Sequence, residues 1–303
     1  MSRKKAFLLI FIGASLWGII GIFVNQLYEI GFTPLQVVAL RVITAAVLLM
    51  LYVSLMNRRL LIIKPKDTHY FIGTGIISIV WFNWCLFSAI EETSISIAFV
   101  LLYTAPMFVT LLSRIFFKES LTFRKIFALI TTFTGCALVI GLFPGWNASL
   151  SFYGLMLGLG SGLFYALYSI FGKFVLKKYR SLTVTVYTFL LAATGVFPFS
   201  RLWETGDLLI GVKVWLLILG LGLVSTVLPF LLYTKGLEAV ESSRASIIAT
   251  IEPVVATFVG YFVFAEKMDI WQYAGVGLVI LSVIIVQESK RAQPIGGSKS
   301  LAG

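Results

Sequence analysis

Two charged side chains, Glu252 and Arg41, stand inside long apolar runs of the chain. Glu252 lies near the middle of the run from Ser243 to Phe264. An ionisable group at that depth is costly, so such residues face a cavity, find a partner or carry protons. A carboxyl removed from water favours its neutral form, and one that takes up and releases a proton there is suited to proton coupling. The other reading is a permanently protonated carboxyl that hydrogen-bonds a freed backbone carbonyl. Arg41 is roughly 10 Å into its run at 1.5 Å per residue. It could bind an anionic substrate or pair with Glu252; the competing reading is that it snorkels to the interface or pairs with Glu91 and Glu92.

Pro106 and Pro253 each remove a helix hydrogen bond and leave the carbonyls of Leu102 and Ala249 without their usual donors. Paired breaks in corresponding spans point to a binding site. Trp17, Trp81, Asn83, Trp84, Tyr103, Tyr165, Tyr168 and Ser225 fall at mid-depth of their runs. They are candidates for lining an amphipathic substrate cavity, with helix packing as the alternative for each; Asn83 needs a hydrogen-bond partner in either case. Glu119 and Glu266, beside Lys118 and Lys267, read as solvated or salt-bridged boundary residues. Gly154, Gly158, Gly162 and Ala166 share one helix face and read as a packing surface.

Other chemistries are poorly served. A single histidine, His69, and two cysteines, Cys85 and Cys136, make neither a metal cluster nor a disulfide framework. There is no phosphate-binding Walker loop, no His-Glu-x-x-His and no nucleophile–base pair. Asp67, Asp207 and Asp269 all lie outside the apolar runs, which excludes an intramembrane aspartate protease. No cofactor, metal or catalytic residue is expected.

The elements that position these residues follow from composition. Of 303 residues, 59% are hydrophobic and 12% charged, far from the roughly one quarter charged of a soluble domain. Spans of about 20 apolar residues can be counted from Ala6 to Tyr28, Phe32 to Asn57, Tyr70 to Ile90, Thr93 to Ser113, Ser181 to Ser200, Val214 to Thr234, Ala245 to Ala265 and Ile270 to Gln287. Ile126 to Gly172 is uncharged for 47 residues, enough for two spans, with a turn signal at Phe143-Pro144-Gly145-Trp146-Asn147. The expected fold is therefore an all-α polytopic membrane protein of ten helices, the first span retained rather than cleaved as a signal peptide. With the N-terminus inside, twenty of the 24 Lys and Arg fall in inner segments and three in outer loops. That asymmetry places both termini in the cytoplasm. It also explains the net charge of +11 without nucleic acid. Asn147-Ala148-Ser149 matches a glycosylation acceptor but carries no weight in so short a loop, and the Gly/Ser-rich C-terminal end reads as a disordered tail.

The chain also repeats itself. At a shift of 147, Gly73 meets Gly220, Ser78 meets Ser225, Ser96 meets Ser243, Pro106 meets Pro253 and Glu119 meets Glu266. Residues 1–145 and 146–290 form two five-span repeats, followed by the tail at 291–303. Five is odd, so the second copy enters the membrane the opposite way round. Inverted repeats of this kind characterise secondary transporters, with substrate near the midplane.

Leu102-Tyr103-Thr104-Ala105-Pro106 with Phe116-Phe117-Lys118-Glu119-Ser120-Leu121, and Ile251-Glu252-Pro253-Val254-Val255-Ala256 with Phe264-Ala265-Glu266-Lys267, resemble the two signatures of EamA-type members of the drug/metabolite transporter superfamily. Ser15-Leu16-Trp17-Gly18 and Ala39-Leu40-Arg41 are similar to that family as well, and the likeness covers essentially the whole chain. It implies ten spans, no ATPase, and exchange or ion-coupled transport of small metabolites, commonly export of amino acids or related compounds from the bacterial plasma membrane. The expected partners are a small-molecule substrate and the lipid bilayer. A facilitative exchanger of another metabolite class, a channel and a regulatory membrane protein without transport are the alternatives.

Overall fold

The structure, a computed structural model, describes residues 1–142 and 151–288. The turn signal at Phe143 to Asn147, the acceptor at Asn147, the boundary between residues 145 and 146, and the tail lie outside them. The described chain is helical, without strands. Nine of its helical stretches are long and apolar enough to cross a membrane. In chain order, α1 (Arg3–Gly18) and α2 (Ile20–Ile30) form the first stretch and α3 (Pro34–Met56) the second. The third joins α4 (Thr68–Ile72), a π-helical segment (Gly73–Val80) and α5 (Trp81–Glu92). The fourth is α6 (Ile95–Leu102) and α7 (Ala105–Phe117). After α8 (Phe123–Val139) come α9 (Phe152–Val175) and α10 (Ser181–Ser200). Then follow α11 (Val212–Gly222), a second π-helical segment (Leu223–Val227), α12 (Leu228–Leu237), α13 (Ser242–Ala249), α14 (Ile251–Val263) and α15 (Ile270–Glu288). The helix α8 has 17 residues, shorter than each of the nine.

Local chemistry sets the ends. Thr33 and Gln36 form a reciprocal capping box at the start of α3. The hydroxyls of Ser94, Thr122 and Ser151 accept from backbone amides at the starts of α6, α8 and α9. Gly31, at φ 112°, terminates α2 in the left-handed region that glycine enters freely. The two π-helical segments end at Val80 and Val227, which correspond at the repeat shift. In each, a hydroxyl bonds the carbonyl five residues back, Ser78 to Gly73 and Thr226 to Leu221, both at 2.8 Å. Such segments are rare and concentrate at functional sites. Hydropathy could not reveal them, because a π-turn changes the hydrogen-bond ladder and not the composition.

The helices pack in matching pairs across the two halves. The helix α1 lies on α12 as α9 lies on α5, and α1 runs along α13 and α14 as α9 runs along α6 and α7. Among the other pairs, α3 packs on α10 and α8 on α15. Small residues permit this. Gly158 and Gly162 of α9 face Leu101, and Gly162 also meets Thr104, beside the break between α6 and α7. Large apolar side chains such as Leu55, Phe123 and Phe262 are exposed on the outer faces, the surface a bilayer covers.

The α8–α15 seam shows how tight these contacts are. A side chain on Gly275 would stand 2.7 Å from the Gly135 carbonyl oxygen and from the Val139 amide nitrogen. Nearby, the Thr132 hydroxyl donates to the Ser282 hydroxyl at 2.8 Å. In thermal unfolding in detergent, Ser282→Ala is expected to cost about 0.6 kcal/mol, the typical worth of an interhelical hydrogen bond in a membrane protein. Gly275→Val is expected to cost more, about 1–3 kcal/mol, because backbone atoms cannot rotate away from the added carbons. Equal melting of the two variants would contradict that ranking.

Candidate functional site

The broken helices bring the polar residues together. The helix α13 ends at Ala249, and the Thr250 hydroxyl satisfies the Ile247 carbonyl at 2.6 Å. The helix α14 restarts at Ile251 with Glu252 in its first turn, where unpaired amides and the helix dipole favour a negative charge. The break before Pro106 has the same chemistry: α6 ends at Leu102, and the Thr104 hydroxyl accompanies the Leu101 carbonyl at 2.6 Å. Each hydroxyl shares with its own backbone amide the carbonyl three residues back, tightening the turn at the break.

A cavity of about 410 Å³ opens beside the second break. Trp17, Gly18, Gly21 and Asn25 line it from α1 and α2; Ile95, Phe99 and Tyr103 line it from α6. Glu252, Pro253, Ala256, Thr257 and Gly260 line it from α14, with Glu266 and Gln272 beyond. Of the residues singled out in the sequence, Trp17, Tyr103, Glu252 and Pro253 therefore share one wall-to-wall space. Asn25, Thr257 and Gln272 are polar lining residues that sequence reasoning missed; Asn25 and Gln272 sit toward the ends of their spans, where a polar residue is ordinary, and Thr257 can bond within its own helix, as it does to the Pro253 carbonyl at 3.0 Å.

Behind Glu252 lies a second layer. Tyr165 and Arg41 lie within electrostatic range of its carboxyl. The Nε of Arg41 is buried without a hydrogen-bond partner, and no ion pair joins Arg41 to Glu91 or Glu92 among the described residues. Tyr103 and Cys136 lie within electrostatic range of Glu252 too. Trp17 is backed by Phe230 and Tyr233, at ring distances of 5.0 and 5.3 Å. Tyr168 meets Phe230 at 5.1 Å and bonds Thr234 at 2.6 Å. Tyr233 bonds Ser169 at 2.7 Å. Phe230 and Tyr233 sit one and four residues after Pro229, and that proline, placed at the start of α12, was the one signal that could have drawn attention to them.

Other candidates fall elsewhere. Trp81 and Trp84 are 46% and 49% exposed and stack edge-on at 5.4 Å on an outer face. Asn83 is buried and finds its partner in its own helix, donating to the Ile79 carbonyl at 2.7 Å. Ser225 is buried in the second π-helical segment with its hydroxyl unpartnered. Pro106 is buried at the start of α7, away from the cavity lining.

Of the two readings of Glu119, solvated or salt-bridged, the structure gives the second. Its carboxylate, 8% exposed, accepts from the Ser242 amide at 2.7 Å and the Ser243 amide at 3.1 Å, and from the Ser243 hydroxyl. Its cation is Lys125, at 3.8 Å, and not the neighbouring Lys118. Lys118 takes the left-handed conformation, φ 55°, that turns the chain and aims Glu119 inward. A second, apolar crevice of about 340 Å³ lies among α1, α13 and α15, with Lys4 and Gln287 as its polar residues.

No group of His, Cys, Asp and Glu suited to a metal occurs among the described residues. What the main cavity offers is a carboxyl, aromatic walls and neutral hydrogen-bonding side chains, the equipment for holding a small amphipathic molecule.

Similar proteins share this architecture. The model of the EamA-like transporter family matches residues 4–141 and 152–287. An uncharacterized transporter of Archaeoglobus fulgidus is 32% identical over 289 residues, spanning 93% of this chain and 98% of the relative. The uncharacterized transporter YwfM of Bacillus subtilis is 25% identical over 296 residues, spanning 94% and 95%. A protein of known crystal structure superposes with a TM-score of 0.79 over 94% of this chain and 96% of its own, at 15% identity. That last likeness is one of fold.

Proposed function

Because the chain belongs to the EamA-like transporter family, we propose that it is a secondary transporter exporting small organic metabolites, such as amino acids or related compounds, by alternating access. Family and relatives support a multi-pass membrane protein that handles small molecules and point to a transporter rather than an enzyme. The finer reading rests on one observation above all. The cavity reaches from one end of the helices to Trp17, Tyr103 and Glu252, at the broken middle of the α13–α14 stretch, where such transporters hold substrate. Counting α8 as a span gives ten, and the Lys and Arg distribution then puts both termini in the cytoplasm of a plasma-membrane protein. On that topology the repeats, 1–145 and 146–290, are inverted and the cavity faces outward. Glu252 is the proton-coupling group, with Tyr165 and Arg41 holding its carboxyl in place.

The test is uptake by proteoliposomes of a pooled amino-acid and metabolite mixture, read by mass spectrometry with and without a pH gradient. The expected result is saturable, gradient-dependent accumulation of a few related compounds. Saturable uptake indifferent to the gradient would replace proton coupling by facilitated exchange. Flux that does not saturate would indicate a channel, and the absence of any uptake would remove the transport reading.

A further inference from the structure

The two halves carry the same carboxylate in the same local geometry but use it differently. Glu119 and Glu266 correspond at the repeat shift. Each follows a residue at left-handed φ, Lys118 at 55° and Ala265 at 56°. Each donates its backbone amide to the carbonyl six residues earlier, Glu119 to Ser113 and Glu266 to Gly260. Up to that point the loops superimpose in kind. Beyond it, Glu119 reaches across to cap the N-terminus of α13 at Ser242 and Ser243, satisfying amides that the helix itself leaves unpaired. The residues corresponding to Ser242 and Ser243 are Ile95 and Ser96, at the N-terminus of α6. No side chain accepts from their amides among the described residues. Glu266 instead folds back into the space that a side chain on Gly260 would fill. Ser113, the counterpart of Gly260, is fully buried and leaves Glu119 no such retreat.

The packing differs in step with the carboxylates. The helix α13 lies against α7, whereas their counterparts α6 and α14 are parted by the cavity that Ile95 and Glu266 both line. Ser242 is 0% exposed and Ile95 65%. One end of the molecule is thus latched and the other is not.

We propose that Glu119 and Glu266 are alternating latches: when the cavity closes, Glu266 caps the N-terminus of α6 at Ile95 and Ser96, and Glu119 releases Ser242 and Ser243. This deepens the transporter reading and rests on it. The two latches are of unequal strength. Around Glu119 stand Lys125, at 3.8 Å, and Glu241, which holds Lys125 at 3.1 Å and Arg244 at 2.7 Å. The counterparts of Lys125, Glu241 and Arg244 are Gln272, Ser94 and Ile97, all uncharged. Lys125 adds an electrostatic attraction to Glu119 that the uncharged Gln272 does not supply at the corresponding place, so the state with Glu119 latched and the cavity open is the resting state of the empty protein.

Ala256 lines the cavity on α14, facing the gap that closure would remove. With Ala256→Cys as reporter and a bulky maleimide as probe, the labelling rate of detergent-purified protein measures the open population; the native Cys85 and Cys136 are buried. Glu119→Gln is expected to slow labelling by at least about threefold, a population shift toward closure. Adding Glu266→Gln to it is expected to restore the rate. A second measurement does not depend on the stability of either variant. Under oxidation, Ser96→Cys with Glu266→Cys is expected to form a disulfide. Unchanged labelling in Glu119→Gln, or failure of the Ser96–Glu266 pair to cross-link, would overturn the latch. Labelling and cross-linking need no substrate, so a protein that passes both yet carries nothing in vesicles would refute the transporter reading and not the latch motion.

Discussion

Glu252→Gln is expected to reduce gradient-driven uptake in proteoliposomes to the level of protein-free vesicles, while substrate exchange without a gradient persists. The substitution preserves shape and removes the ability to gain or lose a proton. Glu252 stands in the first turn of α14 and lines the cavity, so a carboxyl there is in reach of a proton supplied from the side to which the cavity opens. Loss of exchange as well as coupling would make Glu252 part of the substrate site itself. Full gradient-driven uptake by the variant would sink the coupling role and leave a structural carboxyl held by Tyr165.

Gly18→Ala is expected to be the most damaging single-methyl change near the site. Its Cβ would stand 2.6 Å from the Glu252 carbonyl oxygen and 2.6 Å from the Cβ of Val255. Neither atom can turn aside, because one is backbone and the other is fixed to it. The helix α1 would have to withdraw from α14, opening the contact that supports the break, at about 1–3 kcal/mol. Gly21, one turn further on, has nothing within 4 Å of the corresponding position, so Gly21→Ala is the matched control and is expected to melt within about 0.5 kcal/mol of the wild type. Thermal unfolding in detergent decides the matter. If the two variants melt together, the close approach of α1 to Glu252 is wrong. If Gly18→Ala melts low but transports normally, the approach is right and Glu252 does not need it.

How much of this was legible from residues alone depended on the kind of evidence required. Span positions follow from transfer energetics, which depend on composition over about 20 residues. The helices therefore lie largely where the uncharged runs lie, and α8, which starts at Phe123 ahead of the 47-residue run and ends within it, marks the limit of that evidence because hydropathy alone does not bound a short span. The breaks at Pro106 and Pro253 were legible because a missing amide donor is a property of the residue. The family was legible because the Pro and Glu of both signatures recur in register.

Contacts between distant segments were not legible. Trp17, Trp81 and Trp84 are alike as mid-span tryptophans, yet Trp17 lines the cavity and the other two meet the outside, because helix rotation about its axis is set by packing partners and not by depth. Arg41 had Glu91, Glu92 and Glu252 on offer as partners, and sequence alone could not choose among them; among the described residues it forms an ion pair with none of the three. Glu119 and Glu266 are interchangeable in the aligned repeats, and only the structure separates a carboxylate that caps a buried helix from one that lies in an open cavity. Sequence determines which residues are expensive to bury and where the chain must span or break, because those are local free energies. Which expensive residues meet, and at which end the molecule is closed, is decided by the packing of the two halves, a cooperative choice that no single segment contains.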